Sequence, residues 1–168
     1  MKPYRTVVAC AAFALIAMCA ATAIAQTTSF TCSMPAGWNT GTEKDTATMS
    51  ATSPDGNVHV AVWKVTLSSQ DSALNLARRQ MQKLKPVKVL APPTDMSRHA
   101  ARFKADSVAK MHFTTLAFNQ PDKKPVSYRA FVFVKGKTFV AIEAMATIKA
   151  TEADFKAADA VIEGFRFN

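Results

Sequence analysis

The sequence predicts an α+β fold, an antiparallel β-sheet with helices packed on it. Three observations carry that expectation. Short runs that alternate apolar and polar residues are joined by recognisable hairpin turns. Two amphipathic helical segments interrupt the strands without alternating with each of them. Contiguous hairpins argue against a parallel nucleotide-binding sheet, and the five glycines, scattered singly, form no phosphate-cradling loop.

Read in order, the first segment is not part of that sheet. Lys2 and Arg5 precede an uncharged apolar run from Val7 to Ala21, which ends in Ala23-Ile24-Ala25 before Gln26. A positive end, an apolar core and a small-x-small site are the layout of a cleavable secretory signal peptide over residues 1–25. A single exported domain, 26–168, then begins, and a periplasmic location is expected. A retained membrane anchor competes, because 6–25 reaches spanning length, but the run is rich in weakly partitioning alanine. Lipid anchoring at Cys19 is disfavoured because Met18 stands where the lipoprotein peptidase takes a small residue.

Residues 29–34 read as a short strand stopped by Pro35-Ala36-Gly37-Trp38, with Trp38 a core anchor after the turn. Residues 46–52 and 58–65 form a hairpin around Ser53-Pro54-Asp55-Gly56-Asn57, where Gly56 can take the left-handed conformation. Val58, Val60 and Val62 alternate with His59, Ala61 and Trp63, which marks one core face. Ser68 with Asp71 suggests a capping box for a helix whose apolar positions are Leu74, Ala77, Met81 and Leu84. Pro86 limits that helix. A short strand, 87–90, is expected before an Ala91-Pro92-Pro93-Thr94-Asp95 loop. Strands at 100–105, 108–118 and 126–134 follow, the last two joined by a turn over 120–125. Lys135-Gly136-Lys137 turns the chain into 138–146, with Gly136 suited to the first position of a type II′ turn. The closing helix is capped by Thr151 and Asp154 and carries Phe155, Ala158, Ile162 and Phe165 on one face.

The spacing Phe30, Pro35, Gly37, Trp38, the Ser53–Gly56 turn, the Lys135-Gly136-Lys137 hairpin and the closing Phe155…Ile162…Gly164-Phe165-Arg166-Phe167 segment resemble the PsbP-like and DcrB-like family. The resemblance covers nearly all of 26–168 and implies a Mog-type α/β/α sandwich. It also implies a small, exported, non-enzymatic protein. Branches of that family serve photosystem assembly, cell-envelope functions, effector chaperoning and small-GTPase binding. The sequence departs from the pattern at Ser97-Arg98-His99-Ala100-Ala101, where many members carry Gly before the small residue entering a strand.

Charge is the other informative feature. The whole chain carries a formal +9, which falls by two if Lys2 and Arg5 leave with residues 1–25. Arg78, Arg79, Lys83, Lys85, Lys88, Arg98, Arg102 and Lys104 stand against Asp95 alone, whereas the stretch from Glu143 onward is mostly acidic. Such asymmetry steers anionic partners toward one side, although a solvated basic face is its commoner meaning. Nucleic acid is not expected, since Phe103 is the only aromatic in the basic segment. Of three cysteines only Cys32 lies outside the signal segment, so no internal disulfide is expected and burial is its ordinary fate.

Catalytic patterns are sparse. Cys32 could pair with His59, His99 or His112 as a thiol nucleophile, but no nucleophile motif surrounds it. There is no Gly-x-Ser-x-Gly elbow. His99 and His112 could meet across adjacent strands as half a metal site, yet no metal-ligand spacing exists, and neither metal nor cofactor is expected. The sequence thus favours a non-catalytic exported domain that binds a protein partner or the cell envelope through Arg78, Arg79, Lys83, Lys85, Lys88, Arg98 and Arg102. An immunity-type protein neutralising a periplasmic toxic effector is the first alternative, and a thiol hydrolase using Cys32 the second.

Overall fold

The structure, a computed structural model, describes residues 28–41, 47–116 and 124–168. The expected signal peptide, Thr46 and most of the expected 120–125 turn lie outside them. The described residues form strands β1 (Phe30–Thr31), β2 (Asn39–Gly41), β3 (Met49–Thr52) and β4 (Val58–Thr66), followed by helix α1 (Ala73–Leu84). Strand β5 (Lys88–Asp95), a 3-10 helix (Ser97–Phe103) and strands β6 (Ser107–Leu116), β7 (Pro125–Lys135) and β8 (Thr138–Ala146) come next. Helix α2 (Glu152–Gly164) and strand β9 (Arg166–Phe167) close the chain. The fold is α+β, as expected. A seven-stranded antiparallel sheet in the order β2-β3-β4-β8-β7-β6-β5 lies between α1 on one face and α2 with the 3-10 helix on the other.

The pleat explains why both faces need cover. In β4, His59, Ala61 and Trp63 point to the α1 side while Val58, Val60 and Val62 point to the α2 side, and all six are buried. The sequence had marked one core face here; the sheet has two. Central β8 is buried at all nine positions.

The hairpin turns form as their residues dictate. Gly56 (φ +74°) closes the β3–β4 loop, with the Asp55 carboxylate accepting from the Ser53 hydroxyl at 2.6 Å and the Asn57 amide at 3.0 Å. Gly136 (φ +58°) occupies the two-residue β7–β8 turn, and its N–H donates to Asp106 Oδ2 at 2.7 Å. Lys137 is not left-handed, which fits a type II′ turn. At α2, Thr151 and Asp154 make the expected reciprocal capping box.

On the α2 side an aromatic chain binds the cover layer to the sheet. The Phe165 ring lies tilted against Phe133 at 4.4 Å and Phe30 at 5.5 Å and edge-on to Phe167 at 5.1 Å, while Phe103 meets Phe133 edge-on at 5.0 Å. Phe103 is what holds the 3-10 helix down. Its burial contributes about 1.5–3 kcal/mol, whereas the exposed Arg102–Glu163 ion pair contributes about 0–1 kcal/mol. Trp38 is half-buried against the same cluster.

Four expectations are corrected. Residues 29–34 supply only the two-residue β1, because its partner β9 is equally short. Residues 91–95 are not a loop but the second half of β5. Pro92 and Pro93 are tolerated there because β5 is an edge strand, and two register shifts absorb the irregularity. Residues 100–105 are not a strand: the Asp95 carboxylate accepts the Ser97 N–H at 2.8 Å and starts a 3-10 turn. In that geometry Ala100 and Phe103, three apart, share the buried side. Lys104 (φ +51°) ends the turn.

The fourth correction concerns α1, which is capped by Ser72 and not by Ser68. Ser72 Oγ accepts from Asn75 N at 3.2 Å. Asp71 instead accepts from Ser72 N at 2.7 Å and from Arg79 at 2.5 Å. The buried face is consequently Ala73, Leu76, Ala77, Gln80 and Leu84, with Leu74 and Met81 on its flanks. Replacing Ser72 with Ala should lower stability in urea titration by about 1 kcal/mol, while Ser68→Ala should change it by less than about 0.5 kcal/mol.

Candidate binding surface

The seven cationic residues singled out by sequence do not form one site. Arg78, Arg79 and Lys83 occupy the outer face of α1, Lys85 caps it in the left-handed conformation (φ +48°), and Lys88 begins β5. Arg98 and Arg102 sit on the 3-10 helix, on the opposite face of the sheet. Two of the seven are also neutralised locally. Arg79 is bound to Asp71, and Arg102 to Glu163 of α2. Among the described residues, Arg78, Lys83, Lys85 and Lys88 take part in no ion pair. Arg78, Lys83 and Lys85 lie along α1 and its C-terminal cap, and Lys88 follows at the start of edge strand β5, across the short link from Lys85 and turned toward the other face of the sheet.

Next to these cations lie exposed apolar side chains. Val87 is 62% exposed, Val89 45% and Leu90 48%. The surface is therefore amphipathic, a combination that sequence reasoning missed because it had placed 87–90 in an ordinary strand.

The candidate chemical groups elsewhere are held in structural roles. Cys32 is half-buried just after β1, with Sγ 3.8 Å from the Val161 carbonyl oxygen, and burial pushes its thiol up to about 11. The open cleft beside it is lined by Ser29, Phe30, Thr31, Ser33, Thr48, Met49 and Lys64, with no histidine among them. A thiol so disfavoured as an anion is a poor nucleophile. His99 and His112 do not meet. His99 accepts from Arg98 Nε at 3.0 Å on the 3-10 helix, while His112 Nε2 lies 2.8 Å from Ser127 Oγ.

The Ser127–His112 contact has the atoms of a nucleophile–base pair. Its setting is wrong for that chemistry. Burial, and then the Arg129 guanidinium across the strand pair, hold His112 below its ordinary pKa, so an imidazolium is opposed where a triad would stabilise it. Arg129 is itself engaged 3.8 Å from Asp159 and 4.4 Å over the Phe155 ring. Among the described residues no cluster of three metal-ligating side chains occurs.

On the α1 side of the sheet, Glu143 and His59 are buried polar groups. Glu143, the first residue of the mostly acidic C-terminal stretch, is only 1% exposed. It stands between Ala61 of β4 and Ala130 of β7, whose small side chains leave room for it, and it accepts from Tyr128 Oη at 2.6 Å. His59 Nδ1 lies 2.9 Å from Thr52 Oγ1, and burial lowers its pKa to about 4.

No protein-family model matches the sequence, and no curated protein matches it significantly. Solved structures do resemble it. The solution structure of cyanobacterial PsbP from Synechocystis sp. PCC 6803 is 8% identical, with a TM-score of 0.53 over 90% of this chain and 99% of that one. A crystal structure from Bacteroides thetaiotaomicron is 11% identical, with a TM-score of 0.52 over 83% of this chain; the match spans 45% of the Bacteroides chain. At such identities the likeness concerns the fold alone, and the fold is PsbP-like. No helix among the described residues is long and apolar enough to cross a membrane.

Two measurements follow from the buried groups. Reaction of Cys32 with a thiol reagent at pH 8 should be at least about tenfold slower in the folded than in the urea-unfolded protein, because so little thiolate is present. His59 has a folded pKa of about 4 against about 6.5 when unfolded. The unfolded chain therefore takes up the proton first as pH falls, and stability should decline between about pH 6.5 and 4, by up to about 3 kcal/mol. In His59→Gln that part of the decline should be absent from urea titrations across the range.

Proposed function

We propose that this protein is a non-catalytic, exported, periplasmic domain that binds an acidic protein partner through the basic surface of α1 and β5. The observation that carries this reading is the clustering of Arg78, Lys83, Lys85 and Lys88 with no ion pair among the described residues. Cations left unpaired at a surface raise the local concentration of anionic partners and speed their encounter. The PsbP-like fold is consistent with this, since it supplies a rigid sheet under the surface and needs no reaction centre. The exposed apolar side chains at Val87, Val89 and Leu90 favour a protein over a purely ionic contact with the envelope.

The opposite face serves as the control. Arg98 and Arg102 contribute to the net charge but stand apart from the α1 surface. Retention on immobilised poly-glutamate, and capture of envelope proteins at physiological salt, should weaken at least about tenfold in the Arg78→Glu/Lys83→Glu/Lys85→Glu/Lys88→Glu variant. The Arg98→Glu/Arg102→Glu variant should keep nearly all of both. Equal losses in the two variants would reduce the effect to net charge, and unchanged capture in the first would refute the reading. Binding to anionic vesicles in preference to any acidic protein would move the partner to the envelope surface.

A further inference from the structure

The outer edge of β5 is unevenly guarded. Among the described residues strand β5 ends the seven-stranded sheet and pairs only with β6, so N–H and C=O groups along its outer side face away from the sheet. Its second half is closed in the usual way: Pro92 and Pro93 have no N–H to offer a further strand. Its first half carries no proline, and one of the two register shifts falls there, between Val89 and Ala91. There Val87, Val89 and Leu90 are three of the five large apolar side chains exposed among the described residues, and Leu116 at the adjoining end of β6 is a fourth.

We propose that residues 87–91 form a strand-addition site, which takes an extended segment of a partner protein bearing acidic and β-branched apolar residues in alternation. The proposal rests on the basic-surface reading above and specifies how the partner is held. Main-chain hydrogen bonds to the open half of β5 supply affinity, and side chains that alternate along the added strand supply selectivity. Val89 lies opposite Phe113, on the α1 side, and Lys88 lies opposite Thr114, on the other. An added strand thus meets apolar surface continuous with α1 on one side and a cation on the other. Lys88 matches acidic residues on its side of the incoming segment, and Lys85 at the end of α1 adds positive charge beside the same edge. Both lysines also oppose a second copy of this chain, whose β5 would bring like charge to the same edge. The occupant chosen by this chemistry is an acidic strand and not another copy.

Two peptides test this. One alternates glutamate and valine over six residues; the other has the same sequence with every second amide N-methylated, which keeps charge and side chains but removes strand pairing. With ¹⁵N-labelled protein, the unmodified peptide should slow hydrogen exchange at those amides in 87–91 that exchange freely without it, and the N-methylated peptide should bind at least about tenfold more weakly. Equal binding of both peptides without added protection would overturn strand addition while leaving the basic-surface reading intact. So would binding of poly-glutamate alone. Failure of all three probes would remove both readings together. Protection of 87–91 that grows with protein concentration in the absence of peptide would identify a second copy as the occupant and overturn the choice made here.

Discussion

The structure depends on one constraint, the burial of the central strands on both faces. Strand β8 has no exposed position, and β4 and β7 on its two sides are buried over most of their length. A sheet in that condition cannot stand with one face in water, as many antiparallel sheets do. It requires a layer on each side, and the two amphipathic helices are deployed accordingly. Helix α1 covers β5, β6 and β7 from one face. The other face has α2, the 3-10 helix and the β1–β9 ribbon, gathered around Phe133 and Phe165.

The same constraint decides where charge is tolerated. Glu143 is accepted in the middle of β8 because alanines flank it in both neighbouring strands and the Tyr128 hydroxyl meets its carboxylate. A buried carboxylate without such a partner would cost several kcal/mol. On the outside, the sheet acts as a partition. Cations that follow one another along the chain are sorted to opposite faces as it passes from α1 through edge strand β5 to the 3-10 helix. Among the described residues the α1–β5 group takes part in no ion pair, whereas Arg79 and Arg102 are bound to Asp71 and Glu163.

Much of the fold was legible because local chemistry and tertiary demand agreed. The Asp55-Gly56 and Gly136 turns need positive φ and have the residues for it. The run 138–146 is apolar apart from Thr138 and Glu143, and its bounds match the strand observed. The Thr151–Asp154 capping box states its own geometry. Less was legible where a competing partner lay outside the local segment. Ser68 and Asp71 have the spacing of a cap, but Asp71 is drawn to Arg79 and to the Ser72 amide, so Ser72 takes the role. Residues 100–105 alternate weakly enough to read as a strand, and only the landing of Phe103 on Phe133 selects the tighter helix. The candidate surface was half legible: its charges were evident, but the division between two faces and the exposed apolar edge were not.

By itself the sequence determined the α+β class, the hairpins, the closing helix and the concentration of positive charge, because each rests on residues close together in the chain. The tertiary structure decided which cations remain free, which carboxylate is buried and that 91–95 extends an edge strand. Those outcomes turn on neighbours far apart in sequence, Arg102 with Glu163 or Glu143 with Tyr128, and on the position of β5 at the margin of the sheet. Periodicity fixes which way a side chain points relative to its own element; only packing fixes what it meets there.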